Sequence, residues 1–354
     1  MQTVLWWGNY DAEYSRNRII RKAFAQLGWQ ASEYKPQKPR FSYLKARLSG
    51  LTKPDLVFVP CFCQKDIDAA LNFGRHYNVP VMIDPLISLY DTRVFERKTV
   101  AKDSLEASRL LALETRTFSA ADVVIADTEA HGSYFCETFG VDAKKIQVIP
   151  VSAEESVFTT AEVSNDARDL VEVLFYGSFI PLQGVDVIVE AIQLYNGPSV
   201  RWCLLGGKNS QSRLNAEQAL KGNASVSFED DIAYGLLPER IRRADILLGV
   251  FGSSAKTTRV IPNKVYQSLA CGRPVVSCDG PYPAAMRQAQ DSGMRWVPPA
   301  SAKDLADAVA QLATNPEVLL DMRPQARLSY ERYFGNDQVR ISLLAGLQKI
   351  GLSK

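Results

Sequence analysis

Histidine is nearly missing from this chain of 354 residues, which has only His76 and His131. Neither belongs to a His, Cys and Asp cluster with ligand spacing, so the sequence offers no metal site. The six cysteines (61, 63, 136, 203, 271, 278) include one C-x-C pair but no C-x-x-C. Most lie inside apolar strand or helix patterns and read as reduced, buried small residues. No apolar run approaches the length needed to span a bilayer. The start, MQTVLWWGNYD, enters an apolar strand with no charged leader ahead of a long apolar region, so a cytoplasmic protein is expected. The net charge is only +2. With acids and bases nearly balanced and no nucleic-acid module visible, no nucleic-acid partner is expected and any basic site must be local. Short repeats and low-complexity tracts are also missing.

What is present is a regular alternation. In the first half strand-like TVLWW, QASEY, DLVFVP, PVMID, DVVIAD and KIQVIP are separated by helix patterns such as RIIRKAFAQLG, FSYLKARLS, DIDAALNFGRHY and SLEASRLLALETRTFSAA. After the polar stretch AEESVFTTAEVSNDARD the alternation restarts with VEVLFYG, GVDVIVEAIQLY, RWCLLGG, VSFED, DILLGVF and PVVSC. Strands alternating with helices specify a doubly wound parallel sheet, and the restart specifies two of them. The length agrees, since it suits two domains of roughly 150–180 residues.

Chemistry concentrates between Ala244 and Asp279, where two buried strand patterns flank a loop carrying Lys256, Arg259 and Lys264, and Pro262-Asn263 opens a helix that stops at Gly272. Exposed backbone N–H groups and the helix dipole favour an anion there. The alternative is an ordinary βαβ crossover with a solvated basic loop.

Residues 256–276, KTTRVIPNKVYQSLACGRPVV, resemble the donor-binding segment of bacterial family 4 glycosyltransferases with the GT-B fold. The resemblance extends to VLFYGSFIPLQGVDVIVEAI, DLVFVP, MIDPLISLYDT, AADVVIADTEAH and KIQVIPVSAEESVF, in order and over nearly the whole chain. It implies an α/β protein of two Rossmann-like doubly wound domains facing a central cleft: 1–160 for the acceptor, 161–330 for the nucleotide-sugar donor, and 331–354 as a helix crossing back to the first domain.

The resemblance places the donor against Gly177, Ser178, Gln183, Gly184, Gly206, Gly207, Lys256, Arg259, Asn263, Lys264 and Gln267. Two departures stand out. A basic residue and a lysine usually occupy the positions of Ser178 and Gln183, both neutral here. The family's pair of glutamates falls on Arg259 and Gln267. Glutamine can still hydrogen-bond a ribose hydroxyl but carries no charge. Asp84, His131 and Arg259 are the catalytic candidates, and Asn9, Tyr10, Ser15, Arg16, Asn17 and Asp91 the candidates for holding the acceptor, with a plain helix cap as the alternative for Ser15. No metal and no cofactor are expected.

The implied activity is retaining transfer of a sugar from a nucleotide diphosphate to a saccharide or lipid-linked acceptor in bacterial surface-glycan synthesis. The neutral and reversed residues keep two alternatives open. One is a nucleotide-sugar-binding pseudoenzyme or partner subunit of another transferase; the other is a nucleotide-sugar 2-epimerase, against which the missing carboxylates speak. The basic segment KPQKPRFSYLKAR is either a solvated face or a contact with anionic headgroups, which would place the protein peripherally at the inner membrane.

Overall fold

The protein is described by a computed structural model over residues 1–36, 45–46, 50–160, 170–289 and 291–352. Two compact units emerge: Met1–Ser152 together with Asn336–Lys354, and Ala153–Gly335.

The first unit is built on β1 (Thr3–Trp7), β2 (Gln30–Tyr34), β3 (Leu56–Val59), β4 (Val81–Ile83), β5 (Val123–Ala126) and β6 (Ile146–Val148). All pairings are parallel, in the order β2-β1-β3-β4-β5-β6. β3, β4 and β5 are LVFV, VMI and VVIA and are buried throughout, as strands covered by helices on both faces must be. β2 is an edge strand and reads QASEY, with its side chains largely exposed. Trp6, Trp7, Phe24, Phe58 and Phe73 fill the core between sheet and helices. The C-terminal helix Asn336–Lys349 adds Val339, Leu343 and Leu347 to this same core.

The second unit repeats the plan with β7 (Val171–Tyr176), β8 (Val200–Leu205), β9 (Val226–Glu229), β10 (Ile246–Leu248), β11 (Val275–Cys278) and β12 (Met294–Val297). They are parallel, in the order β12-β11-β10-β7-β8-β9. This is the Rossmann order, and it reverses direction between β7 and β10. In such sheets a ligand binds outside the carboxyl ends of the strands at the reversal, because loops leaving the two central strands there diverge to opposite faces. In the first sheet the reversal lies between β1 and β3. Among the described residues, no helix is long and apolar enough to cross a membrane.

Candidate functional site

At the reversal of the second sheet, β7 delivers the loop Gly177–Gly184 and β10 delivers the loop beginning at Gly249. The backbone ties the two together: Phe251 N–H donates to Gln183 O at 3.2 Å and Gly252 N–H to Leu182 O at 3.2 Å. A side chain at Gly184 would place its Cβ 2.5 Å from Gly252 N, and Gly184 has φ +63°. Glycine is therefore required here twice over, for its left-handed backbone and for the close approach of the two loops. Gly184→Ala should destabilise the protein by about 2–5 kcal/mol, combining a left-handed alanine with overpacking against backbone. A urea midpoint within error of the parent would remove the argument.

The carboxyl end of β8 packs beneath the same loop. A Cβ on Gly206 would lie 2.4 Å from Gly177 O, and one on Gly207 would lie 2.3 Å from the Phe179 ring. Gln183, at the position where a lysine is usual, is used within the loop. Its Oε1 accepts from Phe179 N–H at 2.8 Å and its amide lies across Gly177. Ser178 is exposed beside it.

Downstream, residues 255–258 form a single 3-10 turn, and the helix Asn263–Ala270 then starts behind Pro262. No acid occupies its first turn, so the positive end of its dipole is unopposed by its own residues. Tyr176, the last residue of β7, seats this helix, with its hydroxyl 3.0 Å from Lys264 O and 3.1 Å from Gln267 Oε1. Gln267 is thus engaged with the strand end rather than fully exposed, and burial holds the Tyr176 hydroxyl protonated by raising it well above the tyrosine range.

Lys264 is 5 % exposed, its Nζ has no hydrogen-bond partner, and it lies 3.7 Å above the centre of the Phe175 ring. Burial lowers its pKa well below the ordinary lysine value. Lys256 is also buried. Arg259 is half-buried, with Nε donating to Ala255 O at 3.2 Å, and Asn263 is half-buried at the helix start. One crevice at the β7/β10 reversal therefore gathers the glycine loop, the carboxyl end of β8, the 3-10 turn and the helix with Lys264 and Gln267.

In the first unit, the end of β4 brings Asp84 against Arg16, and Asp127, just past the end of β5, lies close enough to act on the Asp84 carboxyl. Arg16 is fully buried: Nε donates to Asp84 Oδ2 at 2.8 Å, and the terminal nitrogens donate to the carbonyls of Ile149 and Pro150. Burial pushes the Asp84 carboxyl up, while Arg16 pulls it down. His131 Nδ1 lies 2.5 Å from Asp127 Oδ1, which leaves the buried Nε2 without a hydrogen-bond partner. Thr128 caps this helix by accepting from His131 N–H.

The remaining acceptor candidates are spread more widely. Asn17 is buried, donating to Asp11 O and accepting from Cys61 Sγ. Tyr10 is buried against Trp6, and its hydroxyl accepts from Arg21. Ser15 is the first helical residue, and no side chain caps that helix, whose N-cap is Tyr14. Asp91 opens one π-helical turn, Asp91–Glu96, behind a loop fastened by the buried Glu114 through Ser88 Oγ, Leu89 N–H and Tyr90 N–H. Of the six, Asn9 alone is exposed.

The basic segment 35–47 lies outside the described residues except for 35, 36, 45 and 46. Among the described residues no group of three His, Cys, Asp or Glu side chains could hold a metal.

Residues 171–315 match the family model described as "Glycosyl transferases group 1". The second unit is a group 1 glycosyl transferase domain. The whole chain is GT-B in fold. A D-inositol 3-phosphate glycosyltransferase of Actinosynnema mirum is 26% identical over 251 residues, a match covering 66% of this chain and 58% of that protein. The chain thus spans little more than half the length of this curated relative. The fold resembles Anabaena Alr3699/HepE in complex with UDP, at TM-score 0.71, 13% identity, and coverage of 98% of this chain and 100% of that one. It also resembles sucrose-phosphate synthase from Thermosynechococcus elongatus, at TM-score 0.75, 15% identity and 99% coverage of both.

Proposed function

We propose that the chain is a glycosyltransferase moving a sugar, with retention, from a nucleotide diphosphate held by the second unit to a saccharide or lipid-linked acceptor held by the first, in surface-glycan synthesis. The observation carrying this reading is the crevice at the β7/β10 reversal, where the glycine loop and the helix start bearing buried Lys264 converge. A diphosphate suits that place, because backbone N–H groups and a desolvated cation stabilise charge on the leaving group more strongly than water does. The family relative and the UDP complex of a similarly folded protein agree with a nucleotide-sugar donor. No metal is assigned. The lysine, the arginine and the helix dipole take the place of a cation on the diphosphate.

Arg259 and Gln267, where carboxylates are usual, favour one competing reading, a chain that binds nucleotide sugar without transferring it. Thermal-shift titration with UDP-, GDP-, ADP- and TDP-sugars tests the shared part. At a hundredfold excess over Kd, the right donor stabilises the fold by about 2.7 kcal/mol. Arg259→Ala should weaken that donor by about 1.5–3 kcal/mol, the range for hydrogen bonds to charged groups. No shift with any of the four refutes both readings. Binding with neither transfer nor donor hydrolysis leaves only the competing one.

A further inference from the structure

At the reversal of the first sheet, between the carboxyl ends of β1 and β3, one side chain is placed against its own preferences. Phe62 has φ +66°, a backbone region that bulky residues seldom enter, and its ring remains 49% exposed. Packing does not explain the strain, since a ring half in water gains little from it. An exposed aromatic on a strained backbone at a binding edge calls for a ligand.

The neighbours hold Phe62 in this pose. Cys61 and Cys63 are both buried: Cys61 Sγ donates to Asn17 Oδ1 at 3.2 Å, and Cys63 Sγ occupies the place where a Gly8 side chain would stand, 2.6 Å from its Cβ position. With the residues on either side drawn inward, the ring between them is turned out. Tyr14, half-buried at the N-cap of the first helix, meets it edge to face with ring centres 5.1 Å apart and planes at 71°. Asp66, buried a few residues on, accepts Asn9 N–H at 3.3 Å through Oδ2, and its Oδ1 has no hydrogen-bond partner. That bond fixes the backbone at the exposed Asn9, in the loop that follows β1.

We infer that Phe62 and Tyr14 form the floor of an acceptor subsite that takes the C–H face of a pyranose ring, with Asn9 at its edge. The purpose rests on the transferase reading. The chemistry is that of a sugar, because a pyranose gathers axial C–H groups on one face while its equatorial hydroxyls point outward. The electron-rich face of an aromatic ring attracts those C–H groups, and the rim of the site supplies polar partners for the hydroxyls.

Saturation-transfer NMR on the full chain, with methyl glucosides, methyl galactosides, maltose and lactose, provides the test. The expected result is binding in which ring protons of one sugar face receive the strongest saturation. Phe62→Gly should weaken saccharide binding at least tenfold without lowering the thermal midpoint, because glycine suits φ +66° better than phenylalanine. Phe62→Tyr keeps the ring and should stay within threefold of the parent. Nucleotide affinity, titrated in parallel, should be the same in all three proteins. Equal saccharide binding in Phe62→Gly overturns the inference, as does nucleotide binding with no saccharide bound at all. Saccharide binding that depends on Phe62, with no nucleotide bound, sustains the subsite and sinks the transferase reading instead.

Discussion

Asp84→Ala should cost about 3–5 kcal/mol of stability, the largest loss expected from any single change at the first unit's candidate site. The substitution leaves the Arg16 guanidinium, which has no exposed surface, facing two carbonyls without the carboxylate that pairs with it. A buried ion pair differs in this from a surface pair, whose loss is worth under about 1 kcal/mol. Most of the penalty comes from the stranded partner and little from the lost attraction. The double variant Arg16→Met with Asp84→Leu removes both charges from the interior, and it should be more stable than Asp84→Ala alone. Urea unfolding followed by circular dichroism measures all three proteins. A single-mutant loss below about 1 kcal/mol would mean that Arg16 reaches water by a small movement and that the pair does not anchor the ends of β4 and β6.

The Arg16 case shows what local sequence could and could not reveal. Tyr-Ser-Arg-Asn after a glycine turn reads as a polar helix start, and Arg16 reads as a cation available to an acceptor. Its partner is 68 positions away at the end of another strand. Only the sheet order brings the two together, and the sheet order is not a local property. The strands themselves were legible where they are apolar runs, as in LVFV, VVIA and ILL. β12, reading MRWV, escapes that reading because an edge strand can carry an arginine in the middle of its run. The π-helical turn at Asp91–Glu96 has no periodic signature to detect.

In the second unit, the glycines and the RVIPNK segment announced the crevice. Gln183 reads as a donor contact that lacks the charge of the usual lysine, and the structure has its carboxamide closing the loop on Phe179 N–H. Nothing in the sequence marks Phe62 or Asp66, because a left-handed backbone at a phenylalanine and the burial of a loop carboxylate are set by tertiary packing.

Lys264→Met should weaken binding of the nucleotide diphosphate by about 1.5–3 kcal/mol and abolish a proton uptake that accompanies binding in the parent protein. In the free protein the Lys264 amino group faces the Phe175 and Tyr176 rings and has no hydrogen-bond partner. Removal from water therefore disfavours its charged form and brings its pKa well below the ordinary value. Between that lowered value and the ordinary one, the unfolded chain binds the proton and the folded chain does not. Stability accordingly rises with pH across this window, and as pH falls the folded chain loses stability until its own lysine is protonated. Methionine has similar length and no charge, so the free variant should be more stable than the parent below the ordinary lysine pKa. A diphosphate arriving beside Nζ reverses the balance, because an adjacent anion favours the ammonium. Binding then draws a proton from the buffer, and affinity declines as pH rises. Calorimetry in two buffers of different ionisation enthalpy reads this directly: the parent's apparent binding enthalpy should differ between them, and that of Lys264→Met should not. Equal enthalpies in both buffers for the parent, with the donor bound, would mean that Lys264 is already charged in the free protein or stands away from the phosphates.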